Sequence, residues 1–407
     1  MNLSGNERLV RPMSPLARLK LIVPFAVGAP AVFGRLSGFH LAPLWALVVY
    51  GGAVVASAFL LSWAAEAFQL DVSASLATAA LALIAVLPEY AVDLYFAYSA
   101  GHDPDQARYA AANMTGSNRL LLGFGWPLVT ALALFAARRN GQASDAVRLG
   151  SACRVELAFL AIASVYSFVI ILTARLVWYD AVVMLALFGF YLAAVSRQAR
   201  GTPHLIGMAA EIGSLAAPRR RALVAGLFIW SAAVVVASAE PFAKALVASG
   251  RELGINEFLL VQWLAPLASE SPELLVASML ALRGNQDAAF GTVLSSKVNQ
   301  WTLLVGSLPV AYYVGGGHGG LPLDSRQVEE VTLTAAQTIL GFAVLCNLEV
   351  RRWEAAALFL LFIVQFALPE ENSRRLLCAI YLFLSGVILF RHRRYLPAIA
   401  GALRQAA

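Results

Sequence analysis

Two short segments of this chain carry residue types that could do chemistry. They are Ala85-Val86-Leu87-Pro88-Glu89 and Ser269-Glu270-Ser271-Pro272-Glu273. Each lies in apolar sequence long enough to cross a bilayer, where a carboxylate is costly and its default reading is functional. About two dozen residues beyond each Pro-Glu pair comes a Gly/Ser-rich segment, Asn113-Met114-Thr115-Gly116-Ser117-Asn118 and Thr292-Val293-Leu294-Ser295-Ser296-Lys297. Hard cations such as Ca²⁺ take about six to eight oxygen ligands, carboxylates and carbonyls among them. Glu89 and Glu273 would supply two anionic ligands from facing helices. Each proline removes a backbone N–H and can free a carbonyl for the same ion. The competing reading is that each proline only kinks a helix and each glutamate pairs with a base. The repetition favours the cation.

Glu270 shares a helix face with Glu273, and Asp93 shares one with Glu89. Four acids this close cannot all stay ionised without a cation, so at least one would carry a proton when the ion leaves. Alternatively, Lys297 and Arg119 neutralise Glu270 and Asp93 as fixed ion pairs. Lys297 then either sits in the site or snorkels to water from a helix end.

The elements that position these residues are membrane helices. The chain has 407 residues, of which 60% are hydrophobic and 13% charged, more apolar surface than a water-soluble fold can hide. Apolar runs predict an all-α polytopic protein of about twelve helices. They fall near 20–36, 42–66, 73–99, 107–137, 152–174, 177–196, 222–248, 256–282, 287–314, 328–347, 354–369 and 375–391. The basic N-terminal segment is expected to be retained, not cleaved as a signal peptide. Cys153, Cys346 and Cys378 form no disulfide framework and no metal-binding spacing. The net charge of +6 comes from basic clusters between spans, which read as topology signals and not as a nucleic-acid surface. With a cytoplasmic N-terminus, alternation puts Arg138/Arg139, the 197–221 linker, Arg351/Arg352 and the Arg391–Arg394 tail inside.

The linker divides the chain: residues 1–41 as an N-terminal segment with an extra helix, 42–196 and 222–369 as two repeats, and 370–407 as an extra helix with a basic tail. Five helices per repeat is an odd number, so the second repeat is inverted, and Pro88-Glu89 and Pro272-Glu273 both fall in second helices. A site at an inverted-repeat interface is a secondary-transporter architecture. Glu240, beside Pro241, is a candidate gate, and Gly315–Gly320 reads as a flexible outer loop.

These segments resemble the α-repeats of the cation/calcium antiporter superfamily, which includes the sodium/calcium exchangers. The family pattern is approximately Gly-Thr-Ser-x-Pro-Glu, followed by Gly-Asn-x-x-Gly-Ser-Asn-x-x-Asn/Asp. The first repeat keeps Pro88-Glu89 and Asn113 to Asn118; the second keeps Ser269, Pro272-Glu273, Gly291 and Ser296. The resemblance implies calcium coordination by Glu89 and Glu273, and further cation ligands at Ser269, Ser117 and Ser296. It also locates the departures. Ala85-Val86 replace Thr-Ser, Glu270 replaces Ser, and the later Asn/Asp positions fall on Leu121 and Gln300. Lys297 stands where the first repeat has Asn118, and Arg119 follows the first motif.

The expected function is secondary-active antiport of Ca²⁺ or a related cation against Na⁺ or H⁺ at a two-glutamate site. The cation-binding set is Glu89, Glu273, Glu270, Ser269, Ser117, Ser296, Gln300 and Asp93, with Lys297, Arg119 and Asn118 as charge partners. The alternatives are a proton-coupled monovalent cation antiporter such as a sodium/proton exchanger, a cation channel, and a membrane-embedded enzyme. No cofactor is expected beyond the transported ions. The partners are the bilayer and inorganic cations, an oligomer is not required, and the location is the plasma (inner) membrane with both termini cytoplasmic. Reporter fusions should read cytoplasmic at the 197–221 linker and after Arg394, and external within 315–320. The reverse pattern would invert the assignment.

Overall fold

The structure is a computed structural model and describes residues 12–72, 87–142, 144–197, 205–367 and 370–406. A helix occupies part of every apolar stretch expected to span. The first half contains α2 (Pro43–Phe68), α3 (Leu87–Ala100), α4 (Ala107–Leu120) continuing into α5 (Trp126–Arg139), α6 (Cys153–Thr173) and α7 (Trp178–Arg197). The second contains α9 (Ala217–Leu253), α10 (Glu257–Leu282), α11 (Gln286–Asn299) continuing into α12 (Val305–Val314), α13 (Ser325–Leu345) and α14 (Arg352–Ala367). α1 (Pro15–Ser37) and α15 (Glu371–His392) flank the two halves. Proline opens α1, α2 and α9, where the missing N–H costs nothing. Asp324 and Gln327 form a reciprocal capping box at the start of α13.

Eight helical stretches among the described residues are long and apolar enough to cross a membrane. α10 is not among them despite its 26 residues, because Gln262, Ser269, Glu270 and Glu273 dilute its apolar content. Large side chains such as Phe33, Leu172, Val236 and Phe383 are fully outward on the bundle, at 71–86% exposure. Scattered over the bundle in this way, they suit lipid and not water.

The inverted symmetry is visible in the connections. β1 (Ala146–Arg148) pairs antiparallel with β4 (Glu349–Arg351), and β2 (Arg175–Leu176) pairs with β3 (Leu321–Pro322). β1 and β3 each precede the fourth helix of a half, and β2 and β4 each precede the fifth, so a two-fold axis exchanges the two ribbons. Each ribbon joins one half to the other. Val147 packs opposite Val350, and Leu176 opposite Leu321, all buried.

Three features depart from the expected layout. The third span of each half is not a uniform α-helix: π-helical turns interrupt it at Leu121–Gly125 and Gln300–Leu304. Within the linker, α8 (Gly207–Gly213) forms and its Glu211 meets Ser14 at 3.4 Å. The basic tail is also helical, as α16 (Leu396–Ala406). Leu396, Ile399 and Leu403 recur at helical spacing and pack with Ala158 and Cys346.

Glycine permits the tightest approaches. A Cβ on Gly116 in α4 would lie 1.7 Å from the carbonyl oxygen of Gln262 in α10. Pro266 lies four residues after Gln262 and cannot donate to that carbonyl, which leaves it facing α4. Gly315, expected in a flexible loop, instead presses on the backbone of Tyr98, 2.0 Å from where its Cβ would be.

At the linker end, Asp71 accepts from Arg220 at 2.7 Å through both oxygens and from Arg221 at 2.8 Å. The Arg220 hydrogen bonds, more than Arg221, hold its carboxyl down from 3.8 to about 2. A lowered carboxyl value contributes stability that is complete above about pH 4 and lost as pH falls through about 2. Asp71→Asn should therefore cost roughly 1.5–3 kcal/mol at neutral pH, with the gap in Tm closing as pH falls through that window. Gly116→Ala should lower Tm sharply in detergent, while Gly291→Ala, whose Cβ meets nothing within 4 Å, should not.

Candidate cation-binding site

The second helix of each half and the Gly/Ser segment that follows it converge in the interior. α3 brings Glu89 and Asp93, α10 brings Ser269, Glu270 and Glu273, α4 brings Asn113, Ser117 and Asn118, and α11 brings Ser296 and Lys297. Glu89 and Glu270 are 2% and 3% exposed, and their carboxyl groups adjoin. One amide joins them: Gln300 Nε2 donates to Glu270 Oε1 at 2.6 Å and reaches Glu89 Oε2 at 3.4 Å. Gln300 is the first residue of the second π-helical turn. Such turns occur often at functional sites because they re-aim a side chain off the helical repeat. Ser296 Oγ donates to Glu270 Oε2 at 3.3 Å. Ser117 lies beside Glu89, without a hydrogen bond of good geometry.

Glu273 is one turn further along α10, and its buried Oε2 accepts no hydrogen bond. Both oxygens of Asp93, which is fully buried, also lack a donor, although Asn113 lies beside it. Ser269 turns back on its own helix, donating to the carbonyls of Ala265 and Pro266 at 3.3 Å. The carbonyl of Ala268, which Pro272 cannot serve, accepts from Ser271 Oγ at 3.0 Å. In α10 the carbonyl freed by Pro272 is thus taken up by Ser271, and the one freed by Pro266 faces Gly116; the residue four before Pro88 lies outside the described residues. Ala85 and Val86 lie outside the described residues.

The two bases are placed differently from the expected ion pairs. Arg119 does not meet Asp93. It pairs with Glu330 of α13 at 2.5 Å, donates to Gln365 at 3.2 Å and stacks over Trp263 at 5.0 Å. Lys297 does not snorkel: it is fully buried, and its Nζ donates to the main-chain oxygen of Asn118 at 2.5 Å. No carboxylate lies within ion-pair distance of it among the described residues, Glu270 included. Lys297 and Asn118 occupy equivalent places in the two Gly/Ser segments, so this bond crosses the symmetry axis. Glu240 is not at the site. It is held by Arg35 of α1 and by Lys244, both at 2.7 Å.

Glu330 escaped sequence reasoning because it fell at the edge of an expected span. Glu330, Thr334, Gln337 and Thr338 form a stripe at helical spacing and are all buried, a pattern that would have marked α13 as facing a polar interior. Gln262 completes that network, donating to Glu330 at 3.1 Å and to Thr115 at 3.3 Å.

The donor set suits a hard cation. Glu89 Oε1, Asn118 Oδ1 and Gln300 Oε1 are further buried oxygens without a partner, and oxygen is the ligand such a cation takes. Among the described residues no three His, Cys, Asp or Glu side chains converge as in a resident metal centre.

The comparisons with known proteins agree with this geometry. A profile of the sodium/calcium exchanger protein family matches residues 42–197 and 223–368. The crystal structure of the H⁺/Ca²⁺ exchanger CAX is 40% identical, with a TM-score of 0.90, over 96% of this chain and 98% of that one. The fold is shared with native YfkE (16% identity, 89% and 100% coverage, TM-score 0.59) and with the sodium-calcium exchanger NCX_Mj (17% identity, 85% and 98% coverage, TM-score 0.51). No curated protein sequence matches the chain. The chain is an integral membrane transporter, not an enzyme, and it belongs to the sodium/calcium exchanger family.

Proposed function

We propose that this protein exchanges Ca²⁺ for H⁺ across the membrane, with Glu89 and Glu270 as the central carboxylates and Glu273, Asp93, Ser117, Ser296 and Gln300 around them. The observation that carries this reading is the buried Glu89–Gln300–Glu270 arrangement. Two carboxyl groups from opposite halves, excluded from water, need either a cation or protons to offset their charge. Calcium would bind the ionised pair, and protons would replace it as it leaves. The similarity to the H⁺/Ca²⁺ exchanger CAX over nearly the whole chain supports the same pairing of ions.

Coupling to Na⁺ is the second reading. Ser117 and the side-chain oxygen of Asn118, which lacks a partner, favour it as neutral ligands. The Lys297 side chain on the Asn118 carbonyl counts against it, because it fills space where a monovalent ion would need oxygens.

Flux into calcium-loaded proteoliposomes tests both. A pH gradient should drive calcium movement, and a sodium gradient alone should not; the opposite result would select the second reading. Glu89→Gln and Glu270→Gln should each reduce flux by at least about 100-fold, the scale of removing one charge from a buried ion site. Near wild-type flux in either variant would rule out the carboxylate pair.

A further inference from the structure

A second polar region lies outside the cation site. It is a cavity of about 380 Å³ between α4, α10, α13, α14 and the start of α15, with Arg119, Gln262, Glu330 and Gln365 at its inner end and Arg326 and Arg374 in its wall. Three arginines face one glutamate there, so the lining repels a cation and is not a route for the transported ion.

The three arginines differ in how their charge is used. Arg119 is spent on Glu330. Arg374 is held by Glu329 at 2.9 Å, an acid shared with Arg375. Arg326 is half-buried over the ring of Phe258 at 4.1 Å. It has no ion pair among the described residues, and its Nε has no acceptor. The nearby Asp324 is engaged as the cap of α13, accepting from Gln327 N at 2.8 Å and Nε2 at 3.1 Å. A guanidinium with unspent donors suits a phosphate oxygen.

The rest of the cavity is apolar. Leu259, Leu260 and Leu264 of α10 form one wall, and Leu333 of α13 lies opposite. Two lining residues, Ile255 and Leu267, are 44% and 47% exposed on the outside of the bundle. Ile255 lies just before α10 and Leu267 within it, so the mouth opens sideways along about 15 Å of helix from Glu257 to Leu267. A small hydrated anion gains nothing from such a wall; an acyl chain does, at about 0.8 kcal/mol per buried CH₂.

We propose that this cavity binds an anionic phospholipid drawn from the bilayer, with its phosphate on Arg326 and an acyl chain along Leu259, Leu264 and Leu267. A lipid seated there braces α10 against α13, one helical turn from Glu270. The site is independent of which ions are exchanged.

The test uses the full chain in a neutral detergent, titrated with phosphatidylglycerol, phosphatidylcholine or inorganic phosphate. The readouts are native mass spectrometry and thermal unfolding. Phosphatidylglycerol should remain bound at one per protein and raise Tm, whereas phosphatidylcholine and phosphate should do neither. Arg326→Ala should weaken phosphatidylglycerol binding at least tenfold while its lipid-free Tm stays near that of the parent. Arg326→Lys should retain part of the binding, and Arg352→Ala, an exposed control, all of it. Equal effects of the two lipids, an undiminished effect in Arg326→Ala, or the same Tm rise with phosphate alone would each overturn the proposal.

Discussion

A carboxylate held away from water needs a proton, a base, a donor or a metal ion, and this structure is organised around that demand. Glu330 takes a base, Arg119, and builds Gln262, Gln365 and Trp263 around the pair. Glu240 takes two bases at the helix surface. Glu89 and Glu270 take neither and share a single amide. The fold thus separates a carboxylate neutralised by a base, on α13, from a carboxylate pair without one, at the junction of α3 and α10. Only the second can serve a transported ion, because a guanidinium cannot leave. The crossing of α4 over α10 at Gly116 makes the separation workable. It brings two polar helices so close that Thr115, Gln262 and Ser117 share one dry interior.

Much of this was legible in the sequence, and the reasons differ from residue to residue. The spans were readable because apolar length is a strong constraint, and the inversion followed from five helices on either side of a basic linker. The pairing of Pro88-Glu89 with Pro272-Glu273 drew attention to two helices whose acids the structure brings together. What one-dimensional spacing could not give was the partner across the interface. Arg119 looked available to Asp93, yet Glu330 lies over two hundred positions away and claims it. Gln300 stood in the expected cation-binding set, but not as the amide that joins two acids. Lys297, three residues earlier, looked able to reach water but is sealed by the opposite repeat. Neither π-helical turn carries a sequence signature of its own, and each displaces the register of the residues that follow.

The two β-ribbons and the two π-helical turns show how closely the halves retain a common plan. The ribbons exchange under the axis, and so do the turns. Three differences lie beside the buried acids: Asn118 against Lys297, Arg119 against Val298, Leu121 against Gln300. The halves share the order of their elements, while the residues around the buried acids differ between them.

The bond from Lys297 to Asn118 has an energetic corollary. A carrier built from two identical inverted halves has inward-open and outward-open forms related by swapping the halves, and those forms are degenerate. Here the swap would place a lysine where an asparagine stood, so the degeneracy is lifted.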